Sequence, residues 1–238
     1  MADVQIDNEK PIKQRLWDCF VLFLAELLGT ALYVYIGCIS SVGVFNITTI
    51  ATCLAWGFAV LLPVQWFGCI SGGFVNPAVT LAAAIYQKLS IVNALLYFVA
   101  QLLGAFLGYG FIIGSLPKNL WNYDFCVPKV QVGLEIWQAL LIEYFVTLGL
   151  VWIACACWDP RNKENTDSIS IRFGLGYAGL CLASINFTGA SLNPARAFAT
   201  AVIHMYFKNH WVYWVSPILA SVTGSLLYKY VFSRDAEK

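Results

Sequence analysis

Charge is scarce in this chain. Only 14 Lys and Arg and 13 Asp and Glu occur in 238 residues, 11% of the total, against about 25% in soluble domains. With a mean hydropathy of +0.70, that scarcity excludes an ordinary water-soluble globule and implies an integral membrane protein. Basic clusters are missing and the formal net charge is only +1, so no nucleic-acid partner is expected. There is no CxxC and no Cys/His spacing suited to a metal. Seven of the eight cysteines (Cys19, Cys38, Cys53, Cys69, Cys155, Cys157 and Cys181) fall in or beside apolar segments, and only Cys126 sits in a loop. Reduced thiols packed as small hydrophobes are the expectation for all of them. Residues 1–16 are polar and lack a cleavable signal pattern, so the first apolar segment is expected to act as its own insertion signal. No nucleophile, base or metal cluster stands out, and neither an enzyme nor a cofactor is expected.

Long apolar runs are what the chain has instead. Six approach the roughly 20 residues a spanning helix needs: Trp17 to Ser41, Ile50 to Phe67, Ile91 to Gly114, Glu135 to Trp158, Ser170 to Asn186 and Trp211 to Phe232. Two shorter segments, Pro77 to Gln87 and Pro194 to Tyr206, follow Gly-containing turns and begin with Asn76-Pro77-Ala78 and Asn193-Pro194-Ala195. Asn is a strong helix N-cap and Pro suits the first helical position, so each reads as a half-length helix. A single Asn-Pro of this kind is ordinary capping.

Register makes the pair informative. Asn76 and Asn193 lie 117 positions apart, and the same offset relates Glu26 to Glu143, Thr30 to Thr147 and Gly57 to Gly174. An offset kept over several segments marks an internal repeat. Short helices at matched places in two halves point to a site at the membrane midplane, because irregular backbone is tolerated there only if buried in protein or facing a water-filled cavity. The expected fold is an all-α membrane protein with six transmembrane helices plus two re-entrant half-helices in an inverted repeat. Residues 1–238 form one domain on this reading, with repeats at about 17–114 and 135–232.

With the N-terminus inside, ten Lys and Arg fall on the cytoplasmic side and four (Lys118, Lys129, Arg196 and Lys208) on the other. Positive residues concentrate on the inner side, so both termini, 1–16 and 233–238, are expected to be cytoplasmic. The half-helices then enter from opposite faces, and their positive N-terminal ends meet and disfavour cations and proton transfer. The Asn76 and Asn193 amides can donate to a passing oxygen. Arg196, a cation in a membrane segment, marks a pathway. Glu26 and Glu143 are read as acceptors for loop backbone N–H groups rather than as transport acids. Asn46 opens an Asn-Ile-Thr sequon and is a possible glycosylation site.

Duplicated Asn-Pro-Ala, Arg196 three residues after the second Asn, and a Glu in the first helix of each half resemble the aquaporin family over about Trp17 to Phe232. Trp158 to Gly174 also resembles the corresponding stretch of animal, insect-like members. The resemblance implies passive conduction through each monomer, a homotetramer in the lipid bilayer of the plasma membrane, and a selectivity ring of four positions: Trp56, Cys181, Ala190 and Arg196. Strict water channels usually have Phe and His at the first two. Trp, Cys, Ala and Arg make an amphipathic ring suited to glycerol or urea as well as water. Ala197 and the Tyr213-Trp214 pair are water-type features that pull the other way. The expectation is a channel for water and small uncharged solutes that excludes protons and ions; the alternatives are a strictly water-selective channel and an inverted-repeat secondary transporter.

Overall fold

The computed structural model describes residues 10–42, 48–120 and 125–233. Asn46, the candidate glycosylation site, lies outside them. Eight α-helices follow in chain order among the described residues: α1 Ile12–Ile39, α2 Thr49–Phe67, α3 Pro77–Ile85, α4 Ile91–Ser115, α5 Ile136–Trp158, α6 Ile169–Thr188, α7 Pro194–His204 and α8 Val212–Leu227. Five of them, α1, α2, α4, α5 and α6, are long and apolar enough to cross a membrane. A π-helical turn, Tyr228–Phe232, lengthens the 16-residue α8 into the sixth span.

Helix ends follow local chemistry. Helix α1 starts at Ile12 rather than Trp17, after Pro11, and Lys10 bonds Asp18 at 2.9 Å. Hydropathy marks where the bilayer begins, and a helix can continue past it. The half-helices stop early, at Ile85 and His204, because Gln87 and Met205 adopt left-handed backbone (φ 66° and 51°) that closes a helix.

Helix α1 packs chiefly on α4, α5 on α8, and α2 on α6. A methyl on Gly104 or Gly108 would fall within 2.3 or 2.1 Å of the Leu27 or Ala31 carbonyl, so these glycines set the α1–α4 approach. Gly57 and Gly174 do the same for α2 and α6, where a methyl on Gly57 would sit 2.5 Å from the Gly174 carbonyl oxygen. Close backbone approach through small residues is how helices associate where lipid offers no hydrophobic drive. Large apolar side chains such as Leu24, Phe58, Leu103, Phe145 and Leu175 face outward, the arrangement expected when the solvent is hydrocarbon.

Arg161, after α5, donates to the Phe232 carbonyl at 2.8 Å, so the ends of α5 and α8 are neighbours. On the opposite side, Cys38 at the end of α1 is disulfide-bonded to Cys126 in the segment before α5, with Cα atoms 5.4 Å apart. This corrects the expectation of eight free thiols. The partners are 88 residues apart in sequence, and no spacing rule brings them together; the end of α1 does so by reaching the loop.

Candidate functional site

Asn76 and Asn193 each cap their own half-helix and hold the other. Asn76 Oδ1 accepts from the Ala78 N–H at 2.9 Å while its Nδ2 donates to the Leu192 carbonyl at 2.9 Å. Asn193 Oδ1 accepts from the Ala195 N–H at 3.0 Å while its Nδ2 donates to the Val75 carbonyl at 2.8 Å. The N-termini of α3 and α7 are thereby pinned against each other. A carboxamide carries two N–H donors, so each has a second donor beyond this cross-bond. Pro77 and Pro194 stand at the first helical positions, and Ala78 and Ala195 are buried beneath them.

The loops before these helices carry matched backbone. Gly72 and Gly189 have φ of 91° and 80°, Gly73 and Ala190 59° and 49°, Val75 and Leu192 46° and 51°. Left-handed backbone at a β-branched residue such as Val75 is costly, on the order of 1–3 kcal/mol. The buried glutamates oppose that cost. Glu26 accepts from the Phe74 and Val75 N–H groups, both at 2.9 Å, from Ser71 Oγ at 2.7 Å and from Gln101 Nε2 at 2.7 Å. Glu143 accepts from the Ser191 and Leu192 N–H groups, both at 3.0 Å, and from Thr188 Oγ1 at 2.6 Å. Both carboxylates thus accept from backbone N–H groups of the loop before a half-helix.

Arg196 follows Asn193 by three residues and is turned back onto its own loop. Its Nη atoms donate to the carbonyls of Ala190 and Gly189, the latter at 3.2 Å. Its buried Nε has no hydrogen-bond partner among the described residues. The guanidinium carbon lies 3.9 Å from the Trp56 ring centroid, a cation–π stack. Trp56 can lie there because Gly37 makes room: a methyl on Gly37 would come within 2.3 Å of the indole. The Trp56 indole face is thus turned onto the guanidinium. Cys181 is buried on α6, and Cys53 is buried on α2 one turn from Trp56. Tyr213, read as a water-type feature, donates to the Thr188 carbonyl at 2.9 Å and braces the second loop.

The two asparagines face a cavity of about 10 Å³, lined also by Tyr33, Tyr177, Val60 and Phe173, with room for no more than one water molecule. It shares Val64 with a wider cavity of about 410 Å³ between the end of α2 and the start of α6, where Gln65, Cys69 and Asp167 lie. Tyr33, Tyr177, Gly37 and Cys53 were not picked out from the sequence, since none belongs to a motif. Helical spacing could have found the tyrosines: Tyr33 lies seven residues after Glu26 and Tyr177 four before Cys181, each on the face of its helix that already carries a site residue.

Six spans around two abutting half-helix N-termini, with a lumen at their junction, define a polytopic membrane channel. Its lineage is equally plain. A family model described as "Major intrinsic protein" matches residues 13–228. Aquaporin-4 of Mus musculus is 38% identical over 219 residues, covering 90% of this chain and 68% of that one. The lens fiber major intrinsic protein of Lithobates pipiens is 37% identical over 211 residues, covering 87% and 79%. The X-ray structure of the aquaglyceroporin from Plasmodium falciparum superimposes with a TM-score of 0.80 at 24% identity, covering 90% of this chain and 96% of that one, a likeness of fold. The chain belongs to the major intrinsic protein family, the aquaporins, which are membrane channels and not enzymes. It spans 57% of the length of Aquaporin-4 from Homo sapiens.

Proposed function

We propose that the protein conducts water together with small uncharged solutes such as glycerol and urea, and rejects protons and ions. The observation that carries this reading is the ring. Arg196 is fixed by carbonyls, and its Nε is unpaired among the described residues, so it offers a donor to a solute hydroxyl, while Cys181 supplies an apolar side to the ring and Trp56 holds the guanidinium in place. A cation meets both the guanidinium and the positive ends of α3 and α7. Asn76, Pro77, Ala78, Asn193, Pro194 and Ala195 form the central station, and Glu26 and Glu143 support its loops. The same reading makes 1–238 one channel domain of two repeats, active as a homotetramer in the plasma membrane with both termini cytoplasmic.

The small cavity beside the asparagines favours a second reading, a strictly water-selective channel. Stopped-flow light scattering on proteoliposomes under separate water and glycerol gradients decides between them. Wild type should pass both, and Cys181→His should lose most glycerol flux while keeping water flux. Wild type that passes water alone rules out the wider solute range.

A further inference from the structure

The strap of chain before α5 reaches both flanks of the ring. Phe125 and Cys126 anchor it: the Phe125 carbonyl accepts from Tyr109 Oη on α4 at 2.7 Å, and Cys126 is disulfide-bonded to Cys38 on α1. Cys126 has left-handed backbone, φ 63°, a conformation that a residue with a side chain seldom holds unaided. Two residues on stands Pro128, whose ring fixes its own φ and confines Val127 to extended backbone. A change of direction at Cys126 is therefore carried to Pro128 rather than absorbed between them. Pro128 lies directly against the second pore loop, where a methyl on Gly189 would come within 2.9 Å of the Pro128 Cα. The strap then donates the Gln131 N–H to the Phe187 carbonyl at 2.8 Å, and the Gly189 carbonyl is one of the seats of Arg196, at 3.2 Å. The other end of the disulfide reaches the opposite flank. Cys38 follows Gly37, whose bare α-carbon seats the Trp56 indole that is stacked on Arg196.

We infer that the Cys38–Cys126 disulfide determines solute specificity: it positions both partners of the Arg196–Trp56 stack, Arg196 through Pro128 and Gly189 and Trp56 through Gly37, and so sets the aperture of the ring. The inference rests on the ring reading but not on the range of solutes that pass. Both cysteines act through their neighbours and are positioning residues. With the bond open, Cys126 is released from its left-handed backbone, Pro128 moves off Gly189, and the carbonyl seat of Arg196 loses its backing. The end of α1 is freed at the same time beside Gly37. The guanidinium and the indole then separate and the ring widens, which favours the larger solute. A bond that served stability alone would lower all fluxes together, because an unfolded channel passes nothing. Cys38 is buried but Cys126 is partly exposed, so a reductant reaches the bond from the strap. Dithiothreitol opens it by two thiol exchanges: the S–S bond breaks, each cysteine sulfur leaves as a thiol with a proton from the reagent, and the reagent is oxidised to its cyclic disulfide.

Proteoliposomes carrying the double variant Cys38→Ser with Cys126→Ser test this under separate water and glycerol gradients. The ratio of the two fluxes is the readout, since it does not depend on how many channels are folded. The double variant should raise the glycerol-to-water ratio about fivefold, the factor carried by one ordinary hydrogen bond such as that from Arg196 to Gly189. Wild type treated with dithiothreitol after reconstitution should show the same rise, and the reagent should add nothing to the double variant, because both act on one bond. That protein is already folded when the bond is opened, so this arm decides even where the variant folds poorly. Thiol alkylation read by peptide mass gives the state of the bond: Cys38 and Cys126 should be protected in untreated wild type and alkylated after reduction. Free thiols at both positions in untreated wild type, or an unchanged or lower ratio once the bond is open, overturn the inference. Cys181→His, measured alongside, separates this outcome from failure of the ring: if it shifts the ratio while the opened bond does not, only the role of the disulfide falls. Where wild type passes water alone, the wider solute range falls, and the inference then requires glycerol flux to appear in the opened channel.

Discussion

At the scale of single residues, the ring depends on a side chain that is missing. Gly37 has nothing beyond its α-carbon, and the Trp56 indole occupies that space while covering Arg196. Gly37→Ala should push the indole off the guanidinium. We expect a loss of about 1–3 kcal/mol in stability, as for other overpacked sites, read by thermal unfolding in detergent, and a changed glycerol-to-water flux ratio. Cys181 gives a chemical test of the same ring. Mercurials should block flux in the wild type, and Cys181→Ser should abolish the block; sensitivity retained at the wild-type level would take Cys181 out of the lumen. Arg196 was legible because a cation in an apolar segment demands an explanation. Trp56 and Cys181 became legible only through family resemblance, and Gly37 not at all, since a glycine in a membrane helix has many commoner uses.

At the scale of elements, the half-helices are held from both ends. Their N-termini are pinned by the reciprocal asparagine bonds. Beyond the far end of α3, Tyr86 donates to Ser233 Oγ at 2.9 Å and Lys229 to the Ile85 carbonyl at 3.3 Å, so the π-helical end of α8 braces its base. Just after α5, Asp159 and Arg161 form a two-pronged ion pair, with contacts of 2.8 and 2.6 Å, and the Arg161 guanidinium it positions donates to the Phe232 carbonyl at 2.8 Å, tying that end to α5. The Arg161 guanidinium holds the Asp159 carboxyl below the ordinary carboxylate range. A carboxyl depressed by folding contributes fully above its unfolded value, about 3.9, and loses that contribution as pH falls through the lower folded value. The brace should therefore be intact at neutral pH and weaken only below about pH 4. Arg161 is half exposed, so the effect is modest: Arg161→Ala should speed amide exchange over Tyr228–Phe232 about two- to fivefold at pH 7. The half-helices themselves were plain from Asn-Pro and the Gly turns. Their early stops were not, because Gln87 and Met205 do not announce left-handed backbone.

At the scale of the whole molecule, the Cys38–Cys126 disulfide joins residues 88 positions apart, tying α1 to the segment before α5. Cross-links of this span typically add about 2–4 kcal/mol, so replacing both cysteines by Ser, or reduction with dithiothreitol, should lower the unfolding temperature while leaving the Asn76–Asn193 station in place. Unchanged melting would show that the link is not formed in the protein. By itself the sequence determined the membrane class, the six spans, the duplicated half-helices and their pairing, because hydropathy, capping and a constant offset are local or periodic properties that one chain displays. Only the tertiary structure decided which cysteines join, where the Trp56 indole lies and that Tyr33 meets Tyr177 at the asparagines. Those contacts link residues 88 and 144 positions apart, or fill a gap left by a glycine. They exist only once helix packing has set distances that no sequence pattern encodes.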